Sequence, residues 1–431
     1  MVYLFTNKLY GKAAAVFSLF LFIFEPEILA HGHYATTDLI STFFFIFVLY
    51  LYYLFRKRFD YKKMIIFSII VGFALATKFT VLYYLLISLS IIFILEKKHK
   101  KDLLKIFYWK NKLPFVLVIF FVSCFSLWAT YFFTFEPPLG YRFDTHRSIT
   151  NLAKSNMLIN FALTQPIPLG SYLSTIKDDI RANYSNAFEK ESFFFGNHQL
   201  YGLPGYLLLI ILFIKTPIPL LILFFTSLIY YFKKSNISYI LLIPIITILA
   251  TSLFTHVLLV LRYILSVYPL MIIFSSQVIN MINKKNSFSL ILLILSIWYI
   301  TGTLNVYPHY LSYFNEFVGG EKNGYNYLAD ANCDWGQGLI DLAQYQKTKH
   351  INNLQLAYFG TALPSNYGIN YKRIKDRSIV QNKNIVPLDI KNNIIAISVT
   401  CWHFCGYDHI PTLKNKKPVD IVGGSILIFK E

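Results

Sequence analysis

The stretch Asp38-Leu39-Ile40-Ser41-Thr42-Phe43-Phe44-Phe45-Ile46-Phe47-Val48-Leu49-Tyr50-Leu51-Tyr52-Tyr53-Leu54-Phe55, followed at once by Arg56-Lys57-Arg58, decides the fold. Past Asp38 it carries no charged residue before Arg56. A helix of this length and apolarity is about what a bilayer core requires. A spanning run that stops on clustered bases is how such a helix meets the cytoplasm. Further apolar segments lie at about 13–30, 64–77, 80–95, 113–135, 216–232, 237–256, 257–282 and 287–304, so about nine crossings are expected.

Composition agrees with that start. Of 431 residues, 55% are hydrophobic and 14% charged, whereas a soluble domain carries about 25% charged residues. An aromatic content of 18% excludes a disordered chain, and four cysteines exclude a disulfide-built scaffold. The net charge of +18 would point to nucleic acid in a soluble protein. Here the excess sits in short clusters between apolar runs: Arg56-Lys57-Arg58 with Lys62-Lys63, residues 97–112, Lys233-Lys234 and Lys284-Lys285. That is the positive-inside pattern of cytoplasmic loops, and no nucleic-acid partner is expected.

With those clusters inside, the N-terminus starts in the cytoplasm and the C-terminus ends outside. The outer face then holds the turns at 31–37 and 77–80, a long loop at 136–202, and everything after about 305. The run 203–215 reads as an interfacial helix cut off by Lys215-Thr216-Pro217. No signal peptide is expected, because the first apolar run ends in Glu25-Pro26-Glu27 without a small-residue cleavage site. No internal repeat is evident, which weighs against a transporter. The predicted organisation is thus an α-helical polytopic membrane domain at 1–304 and a small soluble α/β domain at 305–431. That tail holds ten of the twenty-two acidic residues, with strands expected at 354–359, 394–399 and 425–429 and a helix at 338–347.

Three groups of residues can carry chemistry. Residues 203–304 contain no Asp or Glu, yet they hold Lys215 and Arg262 outside the cytoplasmic clusters. On this topology Arg262 lies about five residues, roughly 8 Å, below the outer end of its helix. Lys78 occupies an outer turn, so three cations approach one membrane face, where they can hold a phosphate or diphosphate headgroup. Simple snorkelling of long basic side chains is the plainer alternative.

The second group is the turn Glu25-Pro26-Glu27-Ile28-Leu29-Ala30-His31-Gly32-His33-Tyr34-Ala35-Thr36-Thr37-Asp38. Asp38 and His31 can act as base or acid there, although Thr37-Asp38 also reads as an ordinary helix N-cap. Glu25 and Glu27 can lie at the headgroup level. His31 and His33, two apart, do not share a helical face.

In the third group, Asp330-Ala331-Asn332-Cys333-Asp334-Trp335-Gly336-Gln337, carboxylates, an amide and an indole suit sugar recognition. Asp334, Trp335 and Gln337 are the candidates, with Asp334 as the cap of a following helix being the alternative. The run Cys401-Trp402-His403-Phe404-Cys405, with His409 nearby, fits no zinc module, so no metal site is expected. Cys401 and Cys405 are left as either a disulfide or two thiols.

Several motifs together resemble the protein O-mannosyltransferase-like, polyprenyl-phosphate-dependent glycosyltransferases (the GT-C superfamily, glycosyltransferase family 39). They are Pro26-Glu27-Ile28-Leu29-Ala30-His31-Gly32 with Thr36-Thr37-Asp38; Phe195-Gly196 with 200–204 and Lys215-Thr216-Pro217-Ile218-Pro219-Leu220; Arg262-Tyr263-Ile264-Leu265 with Tyr268-Pro269; and Pro308-His309-Tyr310-Leu311-Ser312-Tyr313-Phe314-Asn315-Glu316 leading to Asp334-Trp335-Gly336-Gln337. The resemblance implies transfer of a sugar from a polyprenyl-phosphate donor to a protein, lipid or glycan acceptor on the outer face. The donor is the substrate, and no cofactor is needed. A carboxylate deprotonates the acceptor, the configuration inverts, and cations hold the departing phosphate. Asp38 matches the acid after the His-Gly turn, and Lys215 and Arg262 match phosphate contacts. A bacterial inner membrane with a periplasmic C-terminal domain is the implied location.

In the family, the principal acidic motif follows a first helix that has no counterpart here. Asn7-Lys8-Leu9-Tyr10-Gly11 looks like the link before the family's third helix, so a partner chain supplying two helices is one expectation. Gly338 stands where an acid is expected after Trp-Gly-Gln. An inactive relative that binds lipid-linked sugar, and an anionic-lipid flippase, are the competing functions.

Overall fold

The computed structural model describes residues 1–56, 60–99, 113–138, 163–184, 192–199, 205–234, 239–254, 260–284, 286–375, 385–391 and 393–430. Much of the basic clustering (57–58, 100–112 and 285), the motif at 200–204 and large parts of the loop at 136–202 lie outside the described residues.

Among the described residues, the part before residue 306 holds thirteen helices, all apolar but α8: α1 Val2–Tyr10, α2 Lys12–Ile23, α3 Pro26–His33, α4 Asp38–Phe55, α5 Tyr61–Thr77, α6 Thr80–His99, α7 Leu113–Thr130, α8 Gly170–Tyr184, α9 Leu207–Lys215, α10 Ile218–Lys234, α11 Tyr239–Ser252, α12 Val267–Ser275 and α13 Asn286–Asn305. By length and composition, α4 and the Phe288–Asn305 part of α13 are each able to cross a membrane. Two bent pairs, α2 with α3 (58°) and α9 with α10 (113°), bring the number among the described residues to as many as four if each pair is one span. Thr80–Glu96, Pro114–Thr130, Tyr239–Ser252 and Val267–Met281 are apolar but shorter. Many large apolar side chains face outward, among them Phe120, Phe121, Leu290 and Ile294, as they do where lipid rather than water is the solvent. The chain is an integral membrane protein.

The breaks have local causes. Pro26, at the first position of α3, cannot donate a hydrogen bond back into α2, and Glu25 caps the new helix by accepting from Ile28 N at 2.6 Å. The α9–α10 bend falls at Thr216-Pro217. Asn315 secures it, donating from Nδ2 to the carbonyls of Phe213 (2.7 Å) and Thr216 (2.9 Å), while its own backbone N–H donates to Ile214 O (2.9 Å). The segment read as a separate interfacial helix is therefore one arm of a sharply broken pair, with Lys215 wholly buried at the elbow. Arg262 is likewise not inside an α-helix. It lies on a 3-10 turn, Leu261–Ile264, ahead of α12.

Small residues let α5 and α7 approach closely. A Cβ at Gly72 would stand 2.6 Å from the Ser123 carbonyl oxygen, and Ser123 Oγ donates to Ser68 O at 2.9 Å.

Beyond α13 the chain changes to short elements and a sheet. The hairpin strands β3 Ser192–Phe194 and β4 Asn197–Gln199, like the short pair β1 Phe135–Glu136 and β2 Ile167–Pro168, precede it in sequence. The sheet itself holds β5 Leu354–Ala357, β6 Lys372–Arg373, β7 Ile394–Ser398, β8 Asp420–Val422 and β9 Ile426–Phe429, in the order β6-β5-β7-β9-β8. β5 runs parallel to β6 and β7, whereas β7 with β9 and β9 with β8 are antiparallel. Three of these strands and a helix, α14 Leu339–Thr348, lie where alternation and periodicity predict them. The edge strands β6 and β8 are two and three residues long, too short for a period-2 pattern to register. Leu339, Leu342, Leu354, Leu356, Ile426 and Ile428 pack into one apolar cluster between α14 and the sheet.

Candidate functional site

Six separate segments converge on one end of the helical bundle. They are α3, the start of α4, the turn after α5, the elbow of α9, the turn before α12 and the loop 330–337. Arg56, which pairs with Glu96 at 2.8 Å, lies beyond the far end of α4 from Asp38.

Lys215 is the hub. Its Nζ lies 2.9 Å from Glu27 Oε1 and donates to the carbonyls of Leu311 (2.7 Å) and Asn332 (2.9 Å). Two of the ammonium's three protons are donated to these carbonyls, and the Glu27 carboxylate balances its charge. Lys215 is 0% exposed and Glu27 1%. Lys215 is thus enclosed by Glu27 and two carbonyls, and Glu27 is buried within the protein rather than on its surface. Glu25 is equally buried. The Glu27 Oε1 contact is an ion pair without hydrogen-bond alignment, so its strength is Coulombic. The other Glu27 oxygen lies 3.6 Å from His31 Nε2, one helical turn on. His31 is buried while His33 is exposed, as two residues on different faces must be.

Asp38 and Lys78, drawn from separate motifs, meet. Lys78 Nζ donates to Asp38 Oδ1 at 2.6 Å, with Asp38 5% and Lys78 17% exposed. Asp38 does not cap α4: the N-cap is Thr37, which makes no side-chain cap bond, and Asp38 is the first helical residue. Its carboxylate is instead held in a charge-assisted bond close to the positive end of the helix.

Arg262 stands beside this pair. The Tyr263 ring lies between the two cations, 4.9 Å from Lys78 Nζ and 5.5 Å from the Arg262 guanidinium carbon. Arg262 also faces the Trp335 ring at 5.0 Å. Its Nε is buried without a hydrogen-bond partner, and no carboxylate pairs with it among the described residues. Trp335 packs in turn edge-on against Tyr34 (4.8 Å) and His31 (6.1 Å). An unbroken series of contacts therefore runs from Lys215 through Glu27, His31, Trp335, Arg262 and Tyr263 to Lys78 and Asp38.

The three residues read as sugar contacts separate into one that faces the site and two that hold it. Gln337 Oε1 accepts from Trp335 N at 2.6 Å, and its Nε2 donates to Cys333 O at 3.0 Å. Asp334 is wholly buried, accepting from Gly336 N (3.0 Å) and Thr400 N (3.0 Å). It does not cap the helix that follows, since α14 starts five residues later with Gly338 as its N-cap. Asp334 and Gln337 therefore fix the turn that presents Trp335, Asp334 from a wholly buried position and Gln337 from a part-buried one.

Two residues escaped sequence reasoning. Glu27 looked like a boundary carboxylate, and only the burial of Lys215 gives it a partner. Asn332 accepts from Leu261 N through Oδ1 (3.0 Å) while its carbonyl receives Lys215. It thereby ties the Arg262 turn to the hub across some seventy residues of chain, a link that no local signal announces. Thr42 and Ser266, whose hydroxyls lie 3.0 Å apart, tie the same turn to α4.

Residues 1–129 match the model of the dolichyl-phosphate-mannose-protein mannosyltransferase family. That stretch contains Glu27, His31, Asp38 and Lys78, whereas Lys215, Arg262 and Trp335 lie beyond it. No curated protein and no solved structure matches the chain.

Replacing Lys215 by Met leaves Glu27 buried and unpaired, and is expected to cost about 3–5 kcal/mol of stability, read as a lowered melting temperature in detergent. Adding Glu27→Gln should recover most of the loss. A Lys215→Met protein as stable as wild type would contradict the pairing.

Burial pushes the Asp334 carboxyl up to about 6, against the pull of the Thr400 and Gly336 donors. The folded chain therefore binds an extra proton between about pH 4 and pH 6, and the stability tied to Asp334 falls as pH rises through that window. Asp334→Asn cannot ionise, so wild type should gain melting temperature on this variant as pH drops from about 7 to about 5. A constant difference between the two would show that Asp334 does not titrate there.

Proposed function

We propose that the chain is a membrane glycosyltransferase that transfers a sugar from a polyprenyl-phosphate donor, with Arg262 as the main contact to the donor phosphate. The observation that carries this reading is the half-buried Arg262 guanidinium, which lacks a carboxylate partner among the described residues and sits between Tyr263 and Trp335. Taking a cation partly out of water without an anion is costly, so a site built this way favours an anionic ligand. The family match over residues 1–129 supports lipid-linked sugar as the class of that ligand.

In this reading the crossings number about nine, several of them broken where they meet the site, with the sheet domain and the site on the outer, periplasmic face. The phosphate approaches Arg262, with Lys78 as a second cation and the Trp335 ring against the sugar. The acceptor hydroxyl attacks the anomeric carbon and its proton passes to Asp38. The bond from that carbon to the phosphate oxygen breaks, and the electron pair leaves with the polyprenyl phosphate. Lys78, bonded to Asp38 Oδ1, orients the base. Lys215 serves by holding Glu27 and the 311 and 332 carbonyls, and so the walls of the site, rather than by touching donor.

Binding of polyprenyl phosphate and its release from polyprenyl-phosphate mannose, both measured on protein in lipid nanodiscs, test the two roles separately. Arg262→Ala is expected to lower release by about 100-fold or more and to weaken polyprenyl phosphate binding. Unchanged binding and rate would remove Arg262 from the phosphate. Asp38→Asn keeps the size of the side chain and an acceptor for Lys78. It should lower the rate by about 100-fold or more while polyprenyl phosphate binding stays near that of wild type. If wild type binds polyprenyl phosphate but releases none, the chain is a binding protein rather than an enzyme.

A further inference from the structure

Far along the chain from the residues of the proposed site, the hairpin β3–β4 docks on the C-terminal part. Phe195 N donates to Tyr327 O at 3.0 Å, and the Phe193 ring stacks on His403 with centroids 3.4 Å apart. The same hairpin brings His198 to the short helix Val399–Phe404 and to the 3-10 turn Tyr407–His409. His198 Nε2 lies 2.8 Å, and His403 Nδ1 2.9 Å, from one atom, Asp408 Oδ2. The three donor atoms all lie within 4.8 Å of one another. The second Asp408 oxygen is buried without a hydrogen-bond partner, and the exposed His409 has Nε2 3.8 Å from it.

The tautomer of His403 adds an independent argument. Its Nε2 lies 2.7 Å from the Tyr325 carbonyl oxygen, which can only accept, so the ring proton is on Nε2. In the neutral ring, Nδ1 then aims a lone pair at Asp408 Oδ2, and two acceptors at 2.9 Å require a cation between them. A ring N–H donated to a backbone carbonyl is also how metal-bound imidazoles are commonly oriented.

We propose that His198 Nε2, His403 Nδ1 and Asp408 Oδ2 bind a divalent transition-metal ion of the zinc type, with His409 or water as fourth ligand. Two imidazoles and a carboxylate are a donor set that suits Zn²⁺ and excludes an oxygen-seeking ion such as Ca²⁺. Bond lengths of about 2.0–2.1 Å place tetrahedral ligands somewhat farther apart than 2.8 Å, so the ion opens the cluster slightly. Cys401, buried, and Cys405 are not disulfide-bonded, and the clustered ligand atoms do not include theirs. The ion staples the hairpin to the helix whose first turn holds Asp334 through Thr400 N, and so to the turn that presents Trp335.

Full-length, tag-free protein, stripped with a chelator and dialysed, is titrated with Zn²⁺ alone, and separately with Co²⁺ for its visible absorption. One Zn²⁺ per chain is expected, with an intense tetrahedral-type Co²⁺ spectrum. His198→Ala truncates an exposed side chain and, although it loses the contact with Asp408, should leave the chelated protein folded with a cooperative melt. It should weaken Zn²⁺ binding by more than the roughly 10- to 100-fold that outer partners of a metal are worth. Asp408→Asn should do the same and abolish the Co²⁺ band. Absence of stoichiometric Zn²⁺ binding to wild type overturns the proposal and leaves a proton as the shared cation. Equal binding by wild type and both variants overturns it as well.

Discussion

The buried contact between Lys215 and Glu27 is the constraint on which the apolar end of this molecule depends. Two opposite charges, each essentially inaccessible, join the elbow of one broken helix pair to the inner arm of another. In a medium where an unpaired charge costs several kcal/mol, neither break is stable without the other. The same ammonium also donates to the carbonyls of Leu311 and Asn332, so the chain beyond the last apolar helix is fastened at the same point. Bends, loop and bundle are thus one electrostatic unit.

Around that unit the other charges divide into spent and available. Lys78 is committed to Asp38, and Lys215 to Glu27 and two carbonyls. Arg262 alone among these three cations has aromatic rings for neighbours instead of an anion. Rings attract a guanidinium by roughly 0.5–2 kcal/mol, enough to orient it without satisfying its donors. In the proposed reading this leaves the guanidinium free to meet a ligand that brings negative charge.

How much of this was legible beforehand follows from range. The apolar runs, the basic clusters and the strands at 354–357, 394–398 and 426–429 are local patterns, and each is readable in a window of a few residues. Lys78, Arg262 and Lys215, then His31 and Asp38, then Trp335 were legible as three separate groups, because charged and polar residues at the ends of apolar runs stand out locally. Their partners were not. Asp38 looked like a cap and Glu27 like a surface carboxylate, since the cations that hold them come from forty and nearly two hundred residues away. Asp334 and Gln337 looked like sugar contacts, although their bonds to Thr400 N and Trp335 N make them supports.

By itself, then, the sequence determined that the chain lies in a membrane, where its apolar runs fall, and which ionisable residues stand at their ends, because hydropathy and helical periodicity are properties of neighbours along the chain. Tertiary structure alone decided which cation was neutralised and which left open, which side of a turn faces the site, and that His198 reaches His403 and Asp408. Those outcomes depend on distances of about 3 Å between residues far apart in sequence, and charge pairing and hydrogen bonding fall off too steeply with distance and angle for any local pattern to encode them.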